Sequence, residues 1–174
     1  DGGLPPGRGR VLVLGAGGTA RAGLHARERR GARVACWNRN KDRLAGLLRE
    51  FPAVQPADIP RGEVDVVVNA TAASAAGELP LPETGLASLQ AGYALEVAYG
   101  PVLSPFLRFA AGRGWRVRDG LPMLFHQAAA QHYRWTGEDP AADWGEARAL
   151  VESHWRRLSR EGSGRTGSSE SENR

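Results

Sequence analysis

The sequence predicts an α/β fold, a doubly wound and mostly parallel sheet flanked by helices. Three observations carry that prediction. The apolar run Val11 to Leu14 leads straight into a glycine-rich turn and then a helical segment. Strand-like and helix-like segments alternate as β-α-β-α between residues 10 and 50, which calls for parallel strands joined by right-handed crossovers. A further strand, Asp65-Val66-Val67-Val68-Asn69, carries the unbroken apolar centre of strands buried on both faces.

Taken in order, Asp1 to Gly9 is rich in Gly and Pro and reads as a linker. After the first strand a helix is expected over Thr19 to Arg30, closed by Gly31 as its C-cap. The second strand is Arg33 to Trp37, and a helix from Lys41 to Glu50 stops short of Pro52. Ala53 to Glu63, broken by Pro56 and Pro60, is read as a short connection in which Asp58 begins a helical turn. The strand ending at Asn69 opens into a small-residue loop through Gly77, where open α/β sheets bind ligands. Ala94 to Ala98 is the next strand. Ser104 caps a helix with Pro105 at its first position, running to Ala111. Trp115 to Arg118 makes a last short strand, and Leu121 to Trp135 a helix with Leu124, Ala128 and His132 along one side. Trp144, Ala147, Val151, Trp155 and Leu158 stand at helical spacing, so Trp144 to Leu158 is a helix with a core or docking stripe. From Arg160 the tail of Gly, Ser, Arg and Glu buries too little to fold. The expected organisation is a linker over 1–9, one domain over 10–159 and a disordered tail over 160–174.

A chain of 174 residues suits one domain, and 41% apolar with 24% charged residues is ordinary globular composition. The charge of +4 and pI near 10.0 come almost wholly from arginine, since Lys41 is the single lysine. These arginines are spread along the chain without a nucleic-acid module, so nucleic acid is not an expected partner. Cys36 is the only cysteine, which excludes an internal disulfide and points to a reducing, cytoplasmic setting. It sits within a strand and reads as small buried core. No membrane span or signal peptide is evident, and no metal site is expected. The first residue is Asp1 and the sole methionine is Met123, so an upstream segment is expected.

The turn Gly15-Ala16-Gly17-Gly18-Thr19-Ala20 reads as G-x-G-x-x-A between a strand and a helix, the context a dinucleotide site requires. Gly15 makes the tight turn, Gly17 lets backbone approach a pyrophosphate, and Ala20 keeps the helix close to the sheet. Free amides and the positive helix end favour a phosphate there. A plain tight turn is the alternative. The end of the second strand chooses the nucleotide. An NAD site puts Asp or Glu there for the ribose hydroxyl. Here stand Asn38, Arg39, Asn40, Lys41 and Arg43, which would attract a 2′-phosphate. Taken as a solvated basic turn, the same cations would oppose the dipole of the helix they open, so NADP is the favoured cofactor.

These motifs, in this order, resemble the NADP-binding domain of the shikimate dehydrogenases, over Arg10 to Gly137. Gly15 to Arg21 is similar to the family's GAGGAAR loop, and Asn38 to Arg43 to its N-R-T-x-x-R clamp. Asn69-Ala70-Thr71 matches the N-A-T after its fourth strand, and Tyr99, Pro101, Ser104 and Pro105 its Y-x-P-x-x-T-P stretch. Asp119-Gly120-Leu121-Pro122-Met123-Leu124 and Gln127 resemble D-G-x-x-M-L-x-x-Q, with Trp135-Thr136-Gly137 closing the match. The resemblance implies a Rossmann-like domain holding NADP through both turns and Asn69, Ala70 and Thr71. Val97, Gly120 and Met123 would lie by the nicotinamide, and Tyr99 and Gln127 would reach shikimate or 3-dehydroshikimate. Without the resemblance, Tyr99 is a strand-end cap, Gln127 an exposed helix residue and Met123 core.

The chain departs from the family at Asn40, where Thr or Ser is frequent, at Glu96, where Asp is usual, and at Ser74, where Gly is common. The family's catalytic Lys–Asp pair belongs to a preceding substrate domain, and Lys41 sits in the clamp, so no catalytic residue is nominated. His25, His126, His132 and His154 fall on expected helices, and His126 is read as surface. The expected activity is hydride transfer between NADP(H) and 3-dehydroshikimate/shikimate, with the chain alone inactive. A quinate or glutamyl-tRNA-reductase-like dehydrogenase domain and a non-enzymatic NADP(H) sensor stay open, as does the oligomeric state, a homodimer included.

Overall fold

A computed structural model describes residues 9–28, 31–57, 62–100, 102–139 and 141–164, without the side chains of 27–28, 141–144 and 158–164. The described chain divides into two compact units. One holds residues 9–99 and Leu103–Gly120; the other holds Gly100, Val102 and the chain from Leu121.

The first unit is the sheet. Its strands are β1 (Arg10–Leu14), β2 (Arg33–Trp37), β3 (Gln55–Pro56), β4 (Gly62–Asn69), β5 (Leu89–Glu96) and β6 (Arg116–Arg118). They run parallel in the order β3-β2-β1-β4-β5-β6, so the sheet winds outward both ways from β1. Helices α1 (Gly18–Glu28), α2 (Lys41–Glu50), α3 (Glu83–Ala87) and α4 (Pro105–Gly112) cover its two faces. Alternation within β1 decides which. Val11 and Val13 join Ala20 and Leu24 of α1 and Leu44 and Leu47 of α2 in one core. Leu12 and Leu14 point the other way, into a core with Leu86 of α3 and Phe106, Leu107 and Ala110 of α4.

The expected fold class is the one observed, and β2 and α2 have the expected bounds. Elsewhere the structure corrects the reading. The strand β4 starts at Gly62 rather than Asp65, and β5 runs Leu89–Glu96 rather than Ala94 to Ala98. Both gain their early residues by pairing with each other, Gly62 opposite Leu89 and Glu63 opposite Gln90. The short elements β3 and α3 were not expected. Pro56 is tolerated in β3 because that strand lies at the sheet edge. Gly31 takes the left-handed conformation, φ 72°, that a helix-closing glycine needs. The expected linker over residues 1–8, the expected end of the first helix at residues 29–30, the expected turn at Asp58 and the proline at 101 lie outside the described residues.

The second unit contains α5 (Leu121–Thr136) and α6 (Ala141–Gly164). Leu124, Ala128 and His132 are all partly covered on α5, and Ala147, Val151 and Trp155 on α6, while their neighbours are mostly exposed. The helix α6 passes Arg160, where a disordered tail was expected to begin, and ends at Gly164. Extending a formed helix costs little per residue, and Arg148–Glu152 and Arg156–Glu152 pairs brace it at the favoured spacing. Residues 165–174 lie outside the described residues.

Candidate cofactor site

Parallel register puts the carboxyl ends of four strands at one edge. Leu14 lies opposite Trp37 and Asn69, and Asn69 opposite Glu96. The turns that follow β1, β2, β4 and β5 therefore emerge side by side, where doubly wound sheets bind ligands. Main-chain bonds fix them together: Gly15 N donates to Trp37 O (2.8 Å), Ala70 N to Leu14 O (2.8 Å) and Val97 N to Asn69 O (3.0 Å).

Gly15 has φ 114°, and a Cβ there would stand 2.7 Å from Ala70 O and 3.2 Å from Thr71 N. Only glycine lets the first turn pass so close to the third. Gly17 and Gly18 are exposed, with nothing within 4 Å of where a Cβ would stand. The start of α1 is thus open at both glycines among the described residues. Arg21, on α1, donates to Ala16 O (2.7 Å) and pairs with Glu50 at 2.6 Å, so it holds the turn from behind. Thr19 is exposed beside it.

After β2, Asn38 Nδ2 donates to Asn40 O (2.8 Å), and Asn40 Oδ1 accepts from Arg43 N (2.9 Å). Asn40 is thus the N-cap of α2, a role the sequence reading did not give it. The capping turn presents Arg39, Lys41 and Arg43 at the surface, and neither arginine makes an ion pair among the described residues. The donor set is what a phosphate monoester beside a ribose requires: cationic forks in water, with no carboxylate at the strand end.

The turns after β4 and β5 meet over a buried carboxylate. Asn69 and Glu96 are 0% and 1% exposed. Asn69 Nδ2 donates to Glu96 Oε2 (2.7 Å), as does Ser104 Oγ (3.1 Å), and Ser74 Oγ donates to the same oxygen. Ala98 N donates to Glu96 Oε1 (3.2 Å). On its other side Asn69 Oδ1 accepts from Thr71 N (3.1 Å) and Thr71 Oγ1 (2.7 Å). Of the residues expected to contact a ligand, Asn69 is thus buried as a brace, and Ala70 and Thr71 form the rim. The two departures noted at Glu96 and Ser74 are partners of one another. Sequence reasoning missed their joint role, since its one signal was that both positions depart together.

Val97 and Gly120 come together. Gly120 N donates to Ala98 O (3.0 Å), and a Cβ on Gly120 would stand 1.8 Å from Val97 O, so that position excludes every other residue. Tyr99 follows, 49% exposed. Met123 and Gln127 are exposed on α5, within the second unit. His126 is exposed on the same helix, and no group of His, Cys, Asp and Glu suited to a metal occurs among the described residues.

No protein-family model matches the chain. Individual relatives do. A shikimate dehydrogenase (NADP+) of Herminiimonas arsenicoxydans is 41% identical over 81% of this chain and 54% of its own length. One from Acidiphilium cryptum is 37% identical over 86% of this chain and 55% of its own. Over most of its own length the chain is homologous to shikimate dehydrogenases. Among solved structures, a shikimate dehydrogenase from Thermus thermophilus, described in complex with NADP(H) and shikimate, superposes with a TM-score of 0.71. It is 35% identical, over 85% of this chain and 57% of that one. The chain thus spans about half the length of the relatives it matches. Among the described residues no helix is long and apolar enough to cross a membrane.

Proposed function

We propose that this chain is the NADP-binding portion of a shikimate dehydrogenase, acting between NADP(H) and the 3-dehydroshikimate/shikimate pair. One observation carries the reading: an open glycine turn and a basic turn without a carboxylate stand side by side on one sheet edge. The relatives named for NADP+ and shikimate support it. The chemistry that a bound NADP(H) supplies is reversible hydride transfer. The chain's own residues bind and orient. Amides of Gly15 to Thr19 receive the pyrophosphate, and Arg39, Lys41 and Arg43 the 2′-phosphate. Ala70, Thr71, Val97 and Gly120 border the nicotinamide and Tyr99 reaches the substrate; Met123 and Gln127, in the second unit, are assigned to nicotinamide and substrate by the family resemblance alone.

Proton transfer and most substrate contacts are assigned to the half of the family's length that this chain does not span, so the chain alone binds NADP(H) with little or no turnover. A substrate domain is therefore its partner, in a reducing, cytoplasmic setting that suits a buried free thiol at Cys36. Titration with NADPH and NADH, with Arg39→Ala in parallel, tests the reading. NADPH should bind the parent chain more tightly than NADH. Losing one charge-assisted fork should weaken NADPH by roughly 10- to 100-fold and leave NADH within about twofold. Equal affinity for both nucleotides, unchanged by the substitution, would overturn the assignment.

A further inference from the structure

We propose that Glu96 is a positioning residue, whose buried carboxylate locks the turn after β4 to the turn after β5 and so fixes the backbone bordering the nicotinamide. The inference rests on the cofactor reading above and adds a residue that makes no contact with the ligand in that reading.

The carboxylate collects bonds from four separate places. Asn69 comes from the end of β4, Ser74 from the 3₁₀ turn Ala73–Ala76, Ser104 from the N-cap of α4 and Ala98 from the stretch after β5. Each partner is oriented by a second bond. Ser104 Oγ accepts from Leu107 N (3.1 Å), which leaves its own hydrogen for Glu96. The oxygen of Asn69 is occupied by Thr71, which leaves its amide hydrogens for Glu96 and Ser74. Thr71 Oγ1 in turn accepts from Ala73 N (3.2 Å). These bonds join Asn69, Thr71, Ser74, Glu96 and Ser104 into one connected, largely buried network.

Its consequence falls on Val97 and Ala98. Val97 N is held by Asn69 O, Ala98 N by Glu96 Oε1 and Ala98 O by Gly120 N. Three holds on two residues leave that backbone one position, with Val97 O packed over Gly120. Two of the three run through Asn69 and Glu96. Replacing the carboxylate by an amide of the same shape turns an acceptor into a donor facing Asn69 Nδ2 or the serine hydroxyls, and the joint must rearrange. The basic turn after β2 shares none of these bonds.

The test compares Glu96→Gln with the parent chain, using two probes. 2′,5′-ADP reports the adenosine half of the site, and NADPH reports both halves through the fluorescence of its reduced nicotinamide. The variant should bind 2′,5′-ADP within about twofold of the parent, lose roughly tenfold in NADPH affinity and lose most of the fluorescence change on binding. A residue that only supports the fold would weaken both probes together; that result, or no change in either, overturns the proposal. Ser74→Ala, which removes one donor from the partly covered 3₁₀ turn, should show the same split at about threefold, and decides the matter should Glu96→Gln fail to fold. A parent chain that binds neither probe overturns the cofactor reading itself, and this inference falls with it.

Discussion

Cys36 shows how a single residue records its surroundings. Its side chain is fully buried in β2, and its thiol donates to Gly15 O at 3.2 Å beneath the glycine turn. Burial pushes the thiol up from 9.0 to about 11. The folded state therefore holds the proton more tightly than the unfolded chain. The stability this confers is complete below pH 9 and is lost as pH rises towards 11. By pH 10.5 the loss should reach about 2 kcal/mol. Urea unfolding at pH 8 and pH 10.5 measures it, and Cys36→Ala should remove that part of the decline. Parallel decline in both proteins would show that other groups are responsible. The identity of Cys36 as buried core was legible, because a cysteine among Val34, Ala35 and Trp37 occupies an alternating apolar strand. The network at Glu96 was not, since its side-chain partners lie 8, 22 and 27 residues away and nothing local marks a glutamate as buried.

At the scale of the element, α2 carries both a stabilising cap and the basic turn proposed to choose the nucleotide. Its first turn is capped by Asn40 and carries Lys41 and Arg43 against the helix dipole, with Asp42 as the one acid. Asn40→Ala should cost about 1 kcal/mol of unfolding free energy, because Arg43 N loses its acceptor. Asn40→Asp keeps the cap and should hold stability within about 0.5 kcal/mol of the parent. It also sets a carboxylate beside the expected 2′-phosphate, so NADPH affinity should fall by roughly tenfold while NADH stays nearly level. Chemical denaturation with paired titrations reads both quantities. An aspartate variant that binds NADPH as the parent does would remove this turn from the phosphate site. The bounds of α2 were readable from Pro52 and from helix-forming residues within the segment itself. Those of β5 were not: Leu89 to Tyr93, with Gln90 and Gly92, make a weak strand alone and become one only alongside β4. The two-residue β3 and five-residue α3 are too short to give a period at all.

Over the whole molecule, the parallel, doubly wound arrangement was legible because alternating strands and helices call for parallel strands with crossovers between them, while the division at Leu121 left no mark in composition. Charge is the other property of the whole. The chain carries +4, and its arginines at 10, 21, 148 and 156 face carboxylates. Arg39 and Arg43 have no such partner among the described residues, so the turn after β2 holds two exposed guanidiniums outside any ion pair. Their field attracts polyanions and is screened by salt, the Debye length shrinking from about 10 Å at 0.1 M to about 3 Å at 1 M. NADPH differs from NADH by one phosphate, which the proposed site puts at those guanidiniums, so its binding should weaken more steeply over that range. The preference for NADPH should narrow by roughly threefold to tenfold between 0.1 M and 1 M NaCl. Arg39→Ala should flatten the dependence towards that of NADH. A preference that holds constant across the salt range would mean that the added phosphate is gripped in a dry pocket, which exposed side chains on a capping turn do not form.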